Sequence, residues 1–152
     1  MFNISFLVIA VISGDELTVA NVGDSRLYLI EGSSIKQLTQ DHSLVAEMVR
    51  MGQIDEQEAR RRPDKNIITR AIGISGVIHA DFFKSRLMDK EYVLLCSDGL
   101  SNMLEDSEML STVTGSFPLE KKTSMLIDLA NQKGGKDNIS VIIIEPENEV
   151  GA

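Results

Sequence analysis

The sequence has few of the residues that mark special environments. It contains one cysteine, Cys96, so no disulfide can form within the chain, and a reducing compartment is expected. Cys96 lies in the apolar run Tyr92–Cys96, which reads as a buried, inert thiol and not as a nucleophile. Tryptophan is absent and aromatic residues make up 5% of the chain, so the core has to be built from Ile, Leu, Val and Met. No apolar run approaches the ~18–20 residues that span a bilayer. The run Phe6–Ile12 has no basic residue before it and reads as a fully buried strand, not a signal peptide. Basic residues are outnumbered, 15 against 23 acidic, which leaves a net charge of −8. Such a surface repels nucleic acid phosphates and anionic membranes, so neither is expected as a partner, and the chain reads as cytoplasmic.

What is present fits one domain, without repeats, linkers or low-complexity stretches. Phe6–Ile12, Leu17–Val22 and Arg26–Ile30 read as a meander of antiparallel strands, separated by Ser13-Gly14-Asp15 and Gly23-Asp24-Ser25. A short strand follows at Ile35–Leu38. Helical spacing of Leu44, Val45, Met48 and Val49 begins after Ser43, a natural N-cap, and a second helix runs over Asp55–Arg61 before Pro63. Strand patterns return at Asn66–Ala71, Val77–Ser85 and Tyr92–Cys96. Helices are expected at Ser107–Val113 and Leu119–Lys133, the second with Thr123, Leu126, Ile127 and Ala130 on one face. Ile139–Ile144 is a last buried strand, and residues 146–152 form a disordered tail.

Three aspartates share one context, beside glycine or asparagine at the tip of an apolar strand. Asp98 leaves Val93-Leu94-Leu95-Cys96-Ser97 and precedes Gly99; Asp137 precedes Asn138 and the last strand; Asp24 joins two strands. If the strands bearing Asp98 and Asp137 are antiparallel neighbours, both carboxylates reach one rim of the sheet. Close carboxylates repel unless a cation or proton intervenes. Hard oxygen ligands without His or Cys suit Mg²⁺ or Mn²⁺ better than Zn²⁺. Asp, Asn and Gly are also what turns require, so spacing leaves a turn-forming and a metal-binding reading open. His42, at the start of a helix, and His79, on an exposed strand, do not suggest a zinc site. Arg60-Arg61-Arg62 is a basic cluster at a helix C-terminus, either solvated there or touching a phosphorylated peptide.

Five segments occur in a telling order: Ala20-Asn21-Val22-Gly23-Asp24-Ser25-Arg26, Asp41-His42-Ser43, Ile68-Thr69-Arg70-Ala71-Ile72-Gly73, Leu94-Leu95-Cys96-Ser97-Asp98-Gly99-Leu100 and Gly134-Gly135-Lys136-Asp137-Asn138-Ile139-Ser140. Together they resemble the metal-dependent Ser/Thr protein phosphatases, the PPM or type-2C family, in particular its bacterial branch. The resemblance covers about residues 7–145. It implies an α+β fold, a four-layer α-β-β-α sandwich of antiparallel sheets, here N-terminally truncated. A partial domain would occupy residues 1–145, with a mobile flap at about residues 41–66.

The resemblance also implies hydrolysis of phosphoserine and phosphothreonine in proteins with Mn²⁺ or Mg²⁺ as cofactor. Asp98 and Asp137 match ligands of a binuclear metal centre, and Asp24 matches a ligand of a further cation beside Asp98. Ser97, Gly99 and Asn138 would support those ligands from behind, and Arg60, Arg61 and Arg62 would approach the substrate from the flap. Family members carry an upstream Arg that grips phosphate and an Asp-Gly motif that bridges both metals. Neither is found in these 152 residues, where Asp98-Gly99 is the sole Asp-Gly pair. The expectation is therefore weak activity from this chain alone. The alternative is a non-catalytic, phosphatase-like module that binds a phosphoprotein or a regulator. Lys90 stands where the family more often has a Gly-Asp turn.

Overall fold

Strand alternation sorts the apolar residues onto two faces, and two separate cores result. The computed structural model describes residues 4–74 and 76–145. In chain order the elements are β1 (Leu7–Ser13), β2 (Glu16–Val22), β3 (Arg26–Glu31), β4 (Ser34–Gln37), α1 (Leu44–Arg50), α2 (Glu56–Arg61), β5 (Asp81–Arg86), β6 (Tyr92–Cys96), α3 (Asp98–Ser101), α4 (Asp106–Thr114), α5 (Leu119–Gln132) and β7 (Val141–Ile144). They build a three-stranded sheet in the order β1-β2-β5 and a four-stranded sheet in the order β4-β3-β6-β7. Every pairing within both sheets is antiparallel.

On β3, Leu27 and Leu29 meet Val93 and Leu95 of β6 and Leu17 and Val19 of β2, forming the core between the sheets. Tyr28, Ile30, Leu94 and Cys96 point the other way, onto Leu100, Leu104, Met109, Val113, Leu126 and Ala130 of the helical side. Side chains of period two on the strands thus meet side chains of helical period on α4 and α5. Burial pushes the Cys96 thiol up to about 12, which keeps it protonated and inert. The expected face-to-face antiparallel sheets with helices outside are present. Among the described residues the helices α3, α4 and α5 lie against the four-stranded sheet.

Several local expectations change. Phe6–Ile12 is not fully buried: β1 is an edge strand whose residues alternate between half-buried and exposed. Its Leu7, Ile9 and Val11, with Phe82 of β5 at 71% exposure, leave an apolar outer face on the three-stranded sheet. The first three strands do not form one meander. β2 belongs to one sheet and β3 to the other, so Gly23-Asp24-Ser25 carries the chain between sheets. Asn66–Ala71 makes an isolated bridge, Ile68 with Ser43, in place of a strand, and the Val77–Ser85 strand starts only at Asp81. The short helix α3 was not expected. On α5 the buried set includes Lys122 at 2% exposure. Its ammonium lies 4.5 Å from the Tyr92 ring centroid and donates to the Tyr92 hydroxyl at 3.1 Å, so an apolar stem and a satisfied charge allow the burial. The tail at residues 146–152 lies outside the described residues.

Lys90 turns with φ of +68°, a left-handed backbone that glycine adopts freely and lysine does not. Lys90→Gly should stabilise the fold by about 1 kcal/mol, the cost of that conformation for an L-residue, read as a higher urea midpoint at unchanged slope. The exposed sheet face should bind the dye ANS in the folded chain. Phe82→Lys combined with Val11→Lys should reduce that fluorescence without lowering the melting temperature. Equal fluorescence would locate the apolar surface elsewhere.

Candidate metal centre

Register brings the aspartates together. β3 pairs with β6 through Arg26 and Cys96, and β6 pairs with β7 through Cys96 and Val141. The start of β3, the end of β6 and the start of β7 therefore share one rim of the four-stranded sheet. Asp24 precedes β3, Asp98 follows β6 as the first residue of α3, and Asp137 precedes β7, so all three lie at that rim. The antiparallel β6–β7 pairing is the arrangement that brings Asp98 and Asp137 to the same side.

Each loop is fixed by short-range contacts. Ser97 donates its hydroxyl to the Asn138 carbonyl at 3.0 Å and accepts from the Ser140 N–H at 3.0 Å, which staples the β6 exit to the β7 approach. Gly99 is pressed against the same loop: a Cβ there would run into the Asn138 carbonyl. No larger residue fits without moving the Asp137-Asn138 segment. At the sheet crossover Gly23 has φ of +113° and packs on the Phe6 side chain, while Asn21 donates through Nδ2 to the Gln40 carbonyl at 3.1 Å.

Electrostatics mark the same spot. Asp24 Oδ1 is buried and has no hydrogen-bond partner among the described residues, unusual for a carboxylate oxygen. Burial first, and then the charge of Asp98, push the Asp24 carboxyl from 3.8 up to about 6. Burial followed by the charge of Asp137 raises Asp98. One further aspartate at this rim is neutralised. Arg26 donates Nε and Nη2 to the Asp41 carboxylate at 2.9 and 2.6 Å, and Gln37 Nε2 adds a bond to Asp41 Oδ1 at 2.9 Å. Arg26 Nη1 also donates to the Tyr28 hydroxyl at 2.9 Å. Burial opposes the charge on Arg26, but the Asp41 carboxylate outweighs it and holds the guanidinium firmly protonated.

The aspartates meet as neighbouring pairs, not as one tight group. Asp98 Oδ2 accepts from Asn102 Nδ2 at 3.3 Å, and Asp137 Oδ1 accepts from the Asn138 N–H at 2.7 Å. Each carboxylate is thus partly engaged by its own loop. Among the described residues no three His, Cys, Asp or Glu side chains gather closely enough to hold an ion by themselves. Asp98 acts on Asp24 and Asp137 acts on Asp98, so the three carboxyls form a chain of neighbours with Asp98 in the middle. An unpartnered buried oxygen on Asp24, two carboxyls each raised by burial and by a neighbouring aspartate, and an all-oxygen donor set fit a hard divalent cation whose remaining ligands come from water or elsewhere.

Asp24 and Asp98 open into a cleft of about 760 Å³ between the sheet rim and the α1–α2 segment. Arg50, Arg60, Arg61 and Lys65 line it from the α1–α2 side. Of the expected basic cluster, Arg60 faces the cleft but is paired across it with Asp106 at 3.2 Å and Glu105 at 3.4 Å. Arg62 is outside the lining, bound to Asp64 at 2.8 Å. Arg61 and Lys65 line the cleft, and among the described residues neither has an ion-pair partner. Burial, then the charges of Lys136, Arg60 and Arg26, hold Lys65 below the usual lysine range. Sequence reasoning quoted Asp41 and His42 within a motif but gave neither side chain a task, and it passed over Lys65. Their contacts join residues far apart in the chain, and no local pattern announces them.

Solved bacterial serine/threonine phosphatases share this fold. The serine/threonine phosphatase Stp1 from Staphylococcus aureus superposes with a TM-score of 0.89 at 36% identity, over 94% of this chain and 56% of that one. A structure of the catalytic domain of the serine/threonine protein phosphatase PstP in complex with two manganese ions gives 0.81 at 28% identity, over 94% and 58%. The protein phosphatase PhpP of Streptococcus pneumoniae is 44% identical over 142 residues, 93% of this chain and 57% of its own length. The sequence profile described as Protein phosphatase 2C matches residues 5–76. The chain belongs to the protein phosphatase 2C (PPM) family. It spans a little over half the length of the curated relatives it matches.

The raised Asp24 pKa carries a sign. A carboxyl that holds its proton more tightly folded than unfolded favours the fold below its unfolded pKa, and that contribution is lost as pH rises to the folded value. Without added divalent cation, stability should therefore fall between about pH 4 and the Asp24 value of about 6. Asp24→Asn should flatten that decline in thermal melts. An undiminished slope in the variant would assign the effect to another group.

Proposed function

We propose that this chain supplies the Asp24, Asp98 and Asp137 ligands and the substrate-facing cleft of a metal-dependent phosphoserine and phosphothreonine protein phosphatase. The observation that carries this reading is the unpartnered, buried Asp24 oxygen beside Asp98 in a cleft walled by unpaired cations. Relatives matching 91% and 93% of the chain, named serine/threonine phosphatase and protein phosphatase, support it, and the manganese complex of PstP supports Mn²⁺ or Mg²⁺ as the ion. When bound, such ions act as Lewis acids that activate water and neutralise phosphoryl charge.

The chain's own residues then have separable tasks. Asp24, Asp98 and Asp137 hold the cations, with Ser97, Gly99 and Asn138 fixing the loops that present them. Arg61, with no carboxylate partner among the described residues, draws the phosphate of a phosphorylated protein into the cleft, and Arg60 closes the flap segment onto Glu105 and Asp106. Arg62 serves its own turn and does not reach substrate. No helix among the described residues is long and apolar enough to cross a membrane. A cytoplasmic setting fits the single reduced Cys96 and a phosphoprotein substrate.

A second reading rests on the same free cation, Arg61: binding of a phosphoprotein without turnover. Calorimetry with Mn²⁺ should show saturable binding to the 152-residue chain, weakened at least ~10-fold by Asp98→Asn, since losing a ligand costs no less than losing the contacts behind one. With Mn²⁺ present, a phosphothreonine peptide should bind and Arg61→Ala should weaken it. Turnover of p-nitrophenyl phosphate should stay low, because three carboxylates leave the binuclear shell incomplete. Rapid Mn²⁺-dependent turnover would remove the binding-only reading, and Mn²⁺ affinity unchanged in Asp98→Asn would remove the metal reading.

A further inference from the structure

We propose that His42 is a positioning residue for the cation site, clamping the Gly23–Asp24 turn from behind, with its tautomer fixed by Asp81. The role rests on the metal reading of Asp24 given above and assigns a task to a histidine that reading does not use. His42 is 4% exposed, and its ring touches neither the cleft nor solvent chemistry. Two bonds tie it to Gly23: the His42 N–H donates to the Gly23 carbonyl at 3.0 Å, and the Gly23 N–H donates to His42 Nδ1 at 2.9 Å. Residue 42 thus closes both backbone groups of the glycine immediately before Asp24.

The chemistry of the ring follows from those contacts. A backbone N–H is always a donor, so Nδ1 must be the bare nitrogen, and the neutral ring carries its proton on Nε2. Nε2 lies 3.0 Å from Asp81 Oδ2, an acceptor, which satisfies that proton. Arg70 Nη1 also lies 3.0 Å from Nε2, but two donors cannot bond each other. That approach records both groups converging on Asp81, whose Oδ1 takes the Arg70 bond. Burial pushes the Asp81 carboxyl up, yet the hydrogen bonds from His42 and Arg70 outweigh it and hold it below the usual range, as a charged acceptor.

The line Arg70–Asp81–His42–Gly23 therefore runs from β5 to the crossover that presents Asp24. Without the clamp, a glycine at φ of +113° is free to relax, and the Asp24 carboxylate moves relative to Asp98. The His42 carbonyl also accepts from the Thr69 N–H at 2.8 Å, and Ser43 caps α1 through the Ala46 N–H at 3.3 Å. Two adjacent residues, His42 and Ser43, thus anchor the metal loop and the root of the α1–α2 segment.

Two full-chain variants separate the ring's two faces. His42→Asn keeps an oxygen near the Nδ1 position and so keeps the Gly23 bond. His42→Gln keeps a donor near Nε2 and loses the Gly23 bond. In the folded proteins, His42→Gln should weaken Mn²⁺ binding by ~10–100-fold and speed exchange of the Gly23 amide, while His42→Asn stays within about threefold of the parent. Equal losses in both variants, or none in either, would overturn the role, since a packing residue does not discriminate between them. Should His42→Gln not fold, ring ¹⁵N shifts of the unmodified protein decide: bare Nδ1 with protonated Nε2 supports the clamp, and the opposite tautomer refutes it. A parent chain that binds no Mn²⁺ overturns the metal reading and this role with it. Parent binding with both folded variants unchanged overturns the role of His42 alone.

Discussion

Asp98 sits close enough to Asp24, and Asp137 to Asp98, to raise the neighbour's cost of ionisation, because a strand crossover and two antiparallel pairings leave them no other rim to occupy. That repulsion is the constraint around which the loops are built. The fold answers part of it with protein groups. Asp41 is cancelled by a two-pronged bond from Arg26, Asp98 takes a hydrogen bond from Asn102, and Asp137 turns one oxygen onto its own backbone neighbour. Asp24 receives no such answer on Oδ1. A buried acceptor left open in an otherwise well-bonded region is a cost to the folded chain unless something positive completes it.

The rigidity around that gap comes from the two cores. β3 and β6 are buried on both faces, one against the other sheet and one against α3, α4 and α5, so neither strand can slip without exposing Leu27, Leu29, Val93 and Leu95 or their opposite set. Loops rooted in such strands inherit their registration. Gly99 shows how tight that registration is, because the Asn138 carbonyl occupies the volume a side chain would need. The three-stranded sheet is built differently, with one face in the inter-sheet core and the other bearing Leu7, Ile9, Val11 and Phe82 in solvent.

Much of this was legible in the chain itself. Short aliphatic runs between turn residues located β2, β3, β4 and β6, and Ser43 announced its helix as a cap, with its side chain on a backbone N–H. The three aspartates stood out because Gly and Asn flank them at strand tips. What stayed hidden has a common physical origin. Whether β3 continues the sheet of β2 or starts another depends on what covers each face, and the turn Gly23-Asp24-Ser25 serves either outcome. The partial exposure of β1 depends likewise on what lies over it, while its composition reads as interior. Lys122 inside a helix face and His42 behind Gly23 are settled by partners 30 and 19 residues away, beyond any window of local pattern.

The basic cluster shows why charge in a sequence is a poor guide to charge in a site. Arg60 and Arg61 end a short helix and Arg62 follows as its cap, yet the three reach different environments. Arg62 is spent on Asp64 beside it, and Arg60 bridges the cleft to Glu105 and Asp106, so each already has an anion. Arg61 has no ion-pair partner among the described residues, and Lys65, which sequence reading did not single out, faces the same space. A cation inside a partly enclosed cleft is worth more to an anionic ligand than one at the surface, because less water screens it. The cleft therefore sets two unanswered elements against each other, an open carboxylate oxygen on one wall and free cations on the other. A divalent ion and a phosphoryl group, bound together, satisfy both at once, whereas either alone leaves one wall with uncompensated charge.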